Sequence, residues 1–311
     1  MLAASQVSMP HTAVMVAPAS HSALKDEFAQ TLANATGSGI QLLNLCPNGD
    51  DFAFETRVND MSPQQALSLQ KTLKKTLGTS ADIAVLPTLS RRKSLLVTDM
   101  DSTIIAVECL DELADFAGKK DVVSAITERA MAGELNFEDA LTERVAMLAG
   151  LPLEELQACF DQKIFMSEGA RALVASLKQS GVRTVLVSGG FTFFTSRVAA
   201  LLGFDDHRGN TLIDDGSVLT GDVDRPILGR DAKLKALEEE ATALGLGLED
   251  TLTLGDGAND LAMIEASGLG IAYHAKPIVA ARARCAIDHT SLRTALYFQG
   301  YSSDEIVSLG D

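Results

Sequence analysis

Three short apolar runs constrain this chain more than any other feature. Leu95–Thr98 leads into Asp-Met-Asp-Ser-Thr, Thr184–Val187 into Ser-Gly-Gly-Phe, and Thr251–Leu254 into Gly-Asp-Gly-Ala-Asn-Asp. Each is apolar at consecutive rather than alternate positions, and each ends in a polar turn. That pattern belongs to strands buried on both faces, the condition of a parallel sheet covered by helices. Open parallel sheets bind their ligands beyond the carboxyl ends of the strands, so all three turns fall where a site is expected.

The pattern begins at Ser94, and the chain before it reads differently. Residues 1–86 predict β-α-β-β-α-β. The strands are Thr12–Ala17, Ile40–Leu45, Phe52–Arg57 and Ala81–Leu86, with the turn Pro47-Asn48-Gly49-Asp50 between the middle two and a first helix over Ser22–Leu32. The second helix is the better marked. Ser62 is its N-cap, Pro63 its first residue, Gln65 the partner in a capping box, and Gly78 follows its last turn. Two split β-α-β units make a ferredoxin-like sandwich of one sheet and two helices. Residues 87–93, PTLSRRK, read as an exposed linker. A chain of 311 residues is long enough for two domains, here 1–86 and 94–311.

Between the first and second apolar runs lies an amphipathic helical stretch, about residues 108–165, punctuated by Gly118, Gly133 and Gly150 with Pro152. Its place after the first strand predicts a helical cap over the carboxyl edge of the sheet. A smaller insertion, Gly209–Gly229, predicts a β-hairpin turning at Asp215-Gly216.

Charge excludes some partners. The net charge is −16, and most of it falls after residue 90. Such a surface repels nucleic acid and anionic membrane. No stretch approaches the ~18 apolar residues of a membrane helix. Cys46, Cys109, Cys159 and Cys285 form no C-x-x-C and stand far apart. They read as unpaired thiols in a reducing cytoplasm.

Each turn admits a bland and a chemical reading. Asp99 and Asp101 are an exposed acidic turn, or two carboxylates converging on a cation or a shared proton. Ser188-Gly189-Gly190 is a structural turn, or a phosphate cradle of a hydroxyl and outward N–H groups. Lys233, near the start of a leucine-bearing helix, is a surface lysine when taken alone. Asp256, Asn259 and Asp260, bracketed by glycine, are a tight acidic turn or oxygen ligands for a hard cation.

The ordered set is more specific than its parts. D-x-D-x-T, a Ser after the second strand, a Lys and G-D-x-x-N-D resemble the four motifs of the haloacid dehalogenase superfamily in its phosphatase form. They cover residues 94 to about 295. The extension D-x-D-S-T-x(4)-E, ending at Glu108, and the cap residues Met131, Phe137 and Arg144 resemble the phosphoserine phosphatase family more closely. The fold implied is a Rossmann-like parallel sheet with a helical cap, preceded by the α+β ferredoxin-like unit.

The resemblance implies hydrolysis of O-phospho-L-serine to L-serine and phosphate, the last step of serine biosynthesis, through an aspartyl-phosphate. Asp99 would be nucleophile and Asp101 general acid and base. Asp99, Asp256 and the backbone carbonyl of Asp101 would hold Mg²⁺. Ser188, the Gly189 amide and Lys233 would hold the phosphoryl oxygens, with Asn259 and Asp260 orienting metal waters and Lys233. Glu108 would take the substrate ammonium and Arg144 its carboxylate. Outside that resemblance, Glu108 is an acid near a helix start and Arg144 a solvated helix residue.

Residues 1–86 resemble an ACT-type regulatory domain by element order. That family binds amino acids beside a glycine after the first strand. Here the turn reads Ala17-Pro18-Ala19-Ser20-His21, so dimerisation is at least as good an expectation as effector binding. Rival readings are a phosphatase for another small phosphomonoester and a non-catalytic amino-acid sensor. The intact Asp99, Asp101, Lys233 and Asp256 count against the sensor.

Overall fold

A computed structural model describes residues 8–21, 23–47, 51–131 and 134–308. The first unit contains β1 (Met9–Ala17), α1 (Leu24–Thr36), β2 (Leu43–Asn44), β3 (Phe52–Met61), α2 (Pro63–Leu77) and β4 (Asp82–Pro87). Its sheet runs β2-β3-β1-β4 with every pairing antiparallel, as the ferredoxin-like reading requires. The α2 capping box forms between Ser62 and Gln65. The strand expected over Ile40–Leu45 is reduced to Leu43–Asn44, because an edge segment has a partner on one side only. Asn48, Gly49 and Asp50 of the expected turn lie outside the described residues.

After β5 (Leu95–Thr98) come the cap helices α3 (Cys109–Phe116), α4 (Lys120–Met131), α5 (Phe137–Ala146) and α6 (Leu153–Lys163). They are separated at Gly118 and Gly150-Leu151-Pro152, as expected; Gly133 lies outside the described residues. Helix α7 (Ala170–Gln179), β6 (Arg183–Phe191), α8 (Thr192–Leu202) and β7 (Asp206–Asn210) follow. The hairpin β8 (Leu212–Asp214) and β9 (Leu219–Val223) forms as predicted. The Asp215 carboxylate accepts the Ser217 and Val218 N–H groups at its turn. It is not independent of the cap: Gly150 and Leu153 donate to the Leu219 and Ser217 carbonyls. The chain ends with α9 (Ala232–Leu244), β10 (Thr251–Gly255), α10 (Leu261–Ala266), β11 (Leu269–Tyr273), α11 (Pro277–Ala280), β12 (Cys285–Ile287) and α12 (Thr294–Phe298). Six strands in the order β12-β11-β10-β5-β6-β7 form one all-parallel sheet.

Two features were not legible in the sequence. The linker is exposed only in part: Leu89, Ser90 and Arg92 face solvent, whereas Arg91 is half-buried and Lys93 buried. Arg91 keeps 9% of its side chain open and pairs with Glu55 at 2.6 Å. Lys93 donates to the Ser90 and Glu249 carbonyls, and Arg92 lies over the Tyr301 ring. A basic run looks solvated until the fold brings acids, carbonyls and a ring to it. The second feature is a shared core. Ala13, Met15, Ile83 and Val85 pack under α1 and α2. Their alternates Val14, Val16, Ala84 and Leu86 join the buried cluster that includes Leu296, Tyr297 and Tyr301. The outer face of the small sheet is thus covered by α12. Asp82 fastens the seam, accepting from the Asp288 and His289 N–H groups and the Thr290 hydroxyl. All four cysteines are free and buried. No described helix is long and apolar enough to cross a membrane.

Candidate active site

The carboxyl ends of β5, β6 and β10 meet beneath the cap. Asp99 directly follows β5 and is 4% exposed; its N–H donates to the Leu254 carbonyl of β10. Its Oδ1 accepts the Met100 N–H at 2.8 Å and lies 2.7 Å from Lys233 Nζ. Lys233, on the first turn of α9, is 3% exposed and also meets Asp260 Oδ1 at 2.6 Å. It is therefore no surface lysine. Asp260 has no exposed surface and accepts the Gly257 N–H. Gly255 is required here, since a Cβ would collide with the Asp260 side chain.

Three carboxylates, from Asp99, Asp256 and Asp260, place one oxygen each within 4.8 Å of one another. Burial raises the Asp99 carboxyl well above the usual range, and Asp260 adds to the shift. Asp256 is raised for the same two reasons. Burial pulls the Lys233 ammonium down, but Asp260 and Asp99 outweigh it and hold the group above its ordinary value. One buried lysine thus faces three acids. An all-oxygen donor set with surplus negative charge fits a hard divalent cation.

Asp101 turns elsewhere. Its Oδ2 accepts the Ser188 hydroxyl at 2.7 Å and its Oδ1 the Cys109 N–H at 2.8 Å. The two aspartates of the first motif therefore serve different surroundings, and Asp101 does not share the carboxylate group around Asp256. Gly190 N–H donates to Ser188 Oγ at 2.8 Å. A Cβ on Gly190 would lie 3.0 Å from that oxygen and 3.1 Å from Asp101 Oδ2, so the contact depends on glycine there.

The cap closes the other side. Glu108 precedes α3 and accepts the Ser102 hydroxyl at 2.6 Å. Partial loss of water at the cavity wall, followed by Asp101, pushes its carboxyl up to about 7. Arg144, on α5, is half-buried; its Nε–H donates to the Ala140 carbonyl. Among the described residues it makes no ion pair. Burial lowers its pKa, partly offset by Asp111 and Glu108. Phe137 reaches down to the Ser-Gly-Gly turn, where a Cβ on Gly189 would lie 3.0 Å from its ring.

Asp99, Asp101, Glu108, Phe137, Arg144, Ser188, Gly189, Asp256 and Asn259 line one cavity of about 160 Å³. Lys233 stands just behind it, beside Ser188, Gly189 and Asn259. The Met131 side chain lies outside the described residues.

Residues 96–265 match the haloacid dehalogenase-like hydrolase family. A phosphoserine phosphatase of Methanocaldococcus jannaschii is 40% identical over 210 residues, 68% of this chain and 99% of that enzyme. The chain belongs to the phosphoserine phosphatase family of haloacid dehalogenase-like hydrolases. A second member of this family, from Archaeoglobus fulgidus, is 43% identical over 223 residues; the match takes in 71% of this chain and 64% of that protein. The unliganded structure of a probable phosphoserine phosphatase from Vibrio cholerae overlays 98% of this chain and 90% of its own, with a TM-score of 0.75 and 29% identity. That overlay takes in the small sheet as well as the family's phosphatase core.

The cavity also holds residues that the motifs do not name. Lys276 ends the loop between β11 and α11 and lines the cavity, and its N–H donates to the Asp256 carbonyl at 3.2 Å. It follows a fourth parallel strand at the same edge, which is the signal that would have found it. Leu110 and Leu141 provide apolar wall. They look like ordinary core positions in a helical pattern.

Proposed function

We propose that this chain hydrolyses O-phospho-L-serine to L-serine and phosphate. One observation carries the reading: the cap presents an acid, Glu108, and a cation, Arg144, with no ion pair among the described residues, to the cavity that holds Asp99 and Asp101. A zwitterionic amino acid needs one of each, and a guanidinium binds carboxylate in a bidentate fork.

The residues divide the chemistry among them. An Asp99 oxygen attacks phosphorus and forms an acyl phosphate as the bond to the serine oxygen breaks. Asp101, held by Ser188 and the Cys109 N–H, gives a proton to the departing oxygen. It then takes a proton from the water that attacks the acyl phosphate and releases phosphate. Ser188, the Gly189 amide and Lys233 hold the phosphoryl oxygens, where negative charge develops. Glu108 and Arg144 hold the ammonium and carboxylate, and Phe137 covers the turn. Asp99, Asp256 and the Asp101 carbonyl would hold Mg²⁺, with Asn259 and Asp260 beside it. That ion supplies charge neutralisation between an anionic nucleophile and an anionic ester.

Residues 94–311 carry the chemistry, with the cap at about 108–165. Residues 1–86 form an ACT-like unit joined through 87–93. Its outer sheet face already covers α12, so we assign it a supporting role, with self-association left to its edge and helices. The test is a panel of phosphoserine, phosphothreonine, phosphohomoserine and p-nitrophenyl phosphate, assayed with Mg²⁺ and with EDTA. Phosphoserine should show the highest kcat/KM, and EDTA should abolish turnover. A panel led by an ester without an amino-acid group would overturn the assignment.

A further inference from the structure

Strand β6 does not run evenly beside β7. The pairing is regular from Val185 to Val187, breaks, and resumes only where Phe191 meets Asn210. The skipped residues are Ser188, Gly189 and Gly190, the phosphate cradle of the reading above. A broken ladder leaves backbone groups in need of other partners.

One side chain serves the Gly189 carbonyl. Asn210 is 2% exposed. Its amide nitrogen donates to the Gly189 carbonyl at 2.8 Å and to the Leu228 carbonyl at 3.4 Å. Its amide oxygen accepts the Leu228 N–H at 2.7 Å. Leu228 lies on the segment that leads directly to Lys233, so this one amide ties the Ser188 turn to the approach of the buried lysine. The fit is close: a Cβ on the preceding Gly209 would lie 3.2 Å from both the Gly190 carbonyl oxygen and the Thr192 nitrogen.

The carbonyl that Asn210 holds belongs to the Gly189–Gly190 peptide. The N–H of that same peptide donates to Ser188 Oγ. A peptide is planar, so fixing its carbonyl fixes the direction of its N–H. With glycine on both sides, this peptide would otherwise rotate freely. Asparagine is a poor strand residue, and an aliphatic one would fill the space equally well while leaving the Gly189 carbonyl unpaired.

We infer that Asn210 is the positioning residue of the phosphate cradle. It sets the Gly189–Gly190 peptide, and through its N–H the Ser188 hydroxyl, against Lys233 without touching a reacting atom. The inference rests on the reading that this turn and Lys233 hold the phosphoryl group.

The test uses the full chain carrying Asn210→Ala and, separately, Asn210→Ser, with p-nitrophenyl phosphate as reporter in Mg²⁺. Two competitive inhibitors are compared: orthovanadate, which mimics five-coordinate phosphorus, and L-serine, which has no phosphoryl group. The vanadate inhibition constant should rise about tenfold and kcat/KM should fall by a similar factor, while the serine constant stays within about twofold. Inhibition constants do not depend on the folded fraction, so a poorly folding variant still reports. An unchanged vanadate constant overturns the inference, as does a serine constant weakened as much as that for vanadate. If the native chain fails to hydrolyse phosphoserine but both variants still bind vanadate about tenfold more weakly, the substrate assignment falls and the role of Asn210 stands.

Discussion

Replacing Lys233 by methionine removes the ammonium between Asp99 and Asp260 while keeping a side chain of similar length. Its two ion pairs, to Asp99 and Asp260, measure 2.7 and 2.6 Å. At an effective dielectric of about 20, each is worth roughly 6 kcal/mol before desolvation is counted. Removing one partner of a buried pair typically leaves a net cost of about 3–5 kcal/mol, because the remaining acids then face each other within 4.8 Å. A loss of that size lowers the melting temperature by roughly 5–8 °C. Two conditions should reverse it. Asp99 already has a folded pKa raised by burial and Asp260, and loss of the lysine raises it further. A carboxyl raised in the folded state destabilises the fold above that pKa and ceases to do so as pH falls through it. The gap between variant and native chain should therefore narrow from pH 8 to pH 5. Lys233 in the native chain stays charged throughout, since its own folded pKa is raised, and adds no slope. Magnesium should stabilise the variant more than the native chain, by mass action on an acid cluster that has lost its cation. Calorimetry at the two pH values, with Mg²⁺ and with EDTA, reads all of this. A variant that melts with the native chain at pH 8 in EDTA, or a gap that widens in acid, would refute the reasoning.

Asp99→Asn should fold normally and lose roughly 10³-fold or more of kcat; a steady-state assay beside a thermal melt checks both, and substantial residual turnover would rule out the covalent route. Arg144→Ala should raise KM for phosphoserine about 10- to 100-fold, the worth of a charge-assisted contact, and leave KM for p-nitrophenyl phosphate nearly unchanged; equal losses on both would assign Arg144 to the phosphate or to the fold. Glu108 titrates at about 7 and holds an ammonium only when ionised, so KM for phosphoserine should climb from pH 8 to pH 6 while that for p-nitrophenyl phosphate stays flat; Glu108→Gln should abolish the difference. A chain begun at Ser90 keeps every proposed reacting residue but uncovers the α12 face around Leu296, Tyr297 and Tyr301. It should retain Mg²⁺-dependent turnover per folded molecule with a lower melting temperature and visible aggregation by light scattering. Full solubility at native stability would show that the small sheet does not support the catalytic unit.

What the sequence determined by itself is the part governed by short-range rules. Consecutive apolar residues at Leu95–Thr98, Thr184–Val187 and Thr251–Leu254 can only be satisfied by burial on both faces, so the parallel sheet and its loaded carboxyl edge were readable. The Ser62 capping box, the cap breaks at Gly118 and Gly150 and the Asp215-Gly216 hairpin depend on neighbours a few residues apart, and they form where expected. Motif order singled out Asp99, Asp101, Ser188, Lys233 and Asp256. The tertiary structure decided whatever depends on residues distant in sequence. Lys233 looks like any exposed helix lysine until Asp99 and Asp260 close on it. Arg91 and Lys93 look like solvated linker until Glu55 and the Glu249 carbonyl reach them. Val14, Val16, Ala84 and Leu86 show which sheet face is apolar but not that α12 covers it. Asn210 carries no local signature at all, and Lys276 only its place after a fourth strand, because hydrogen-bond partners and cavity walls are set by which chain segments the sheet order makes neighbours. That order is a long-range property that no window of adjacent residues encodes.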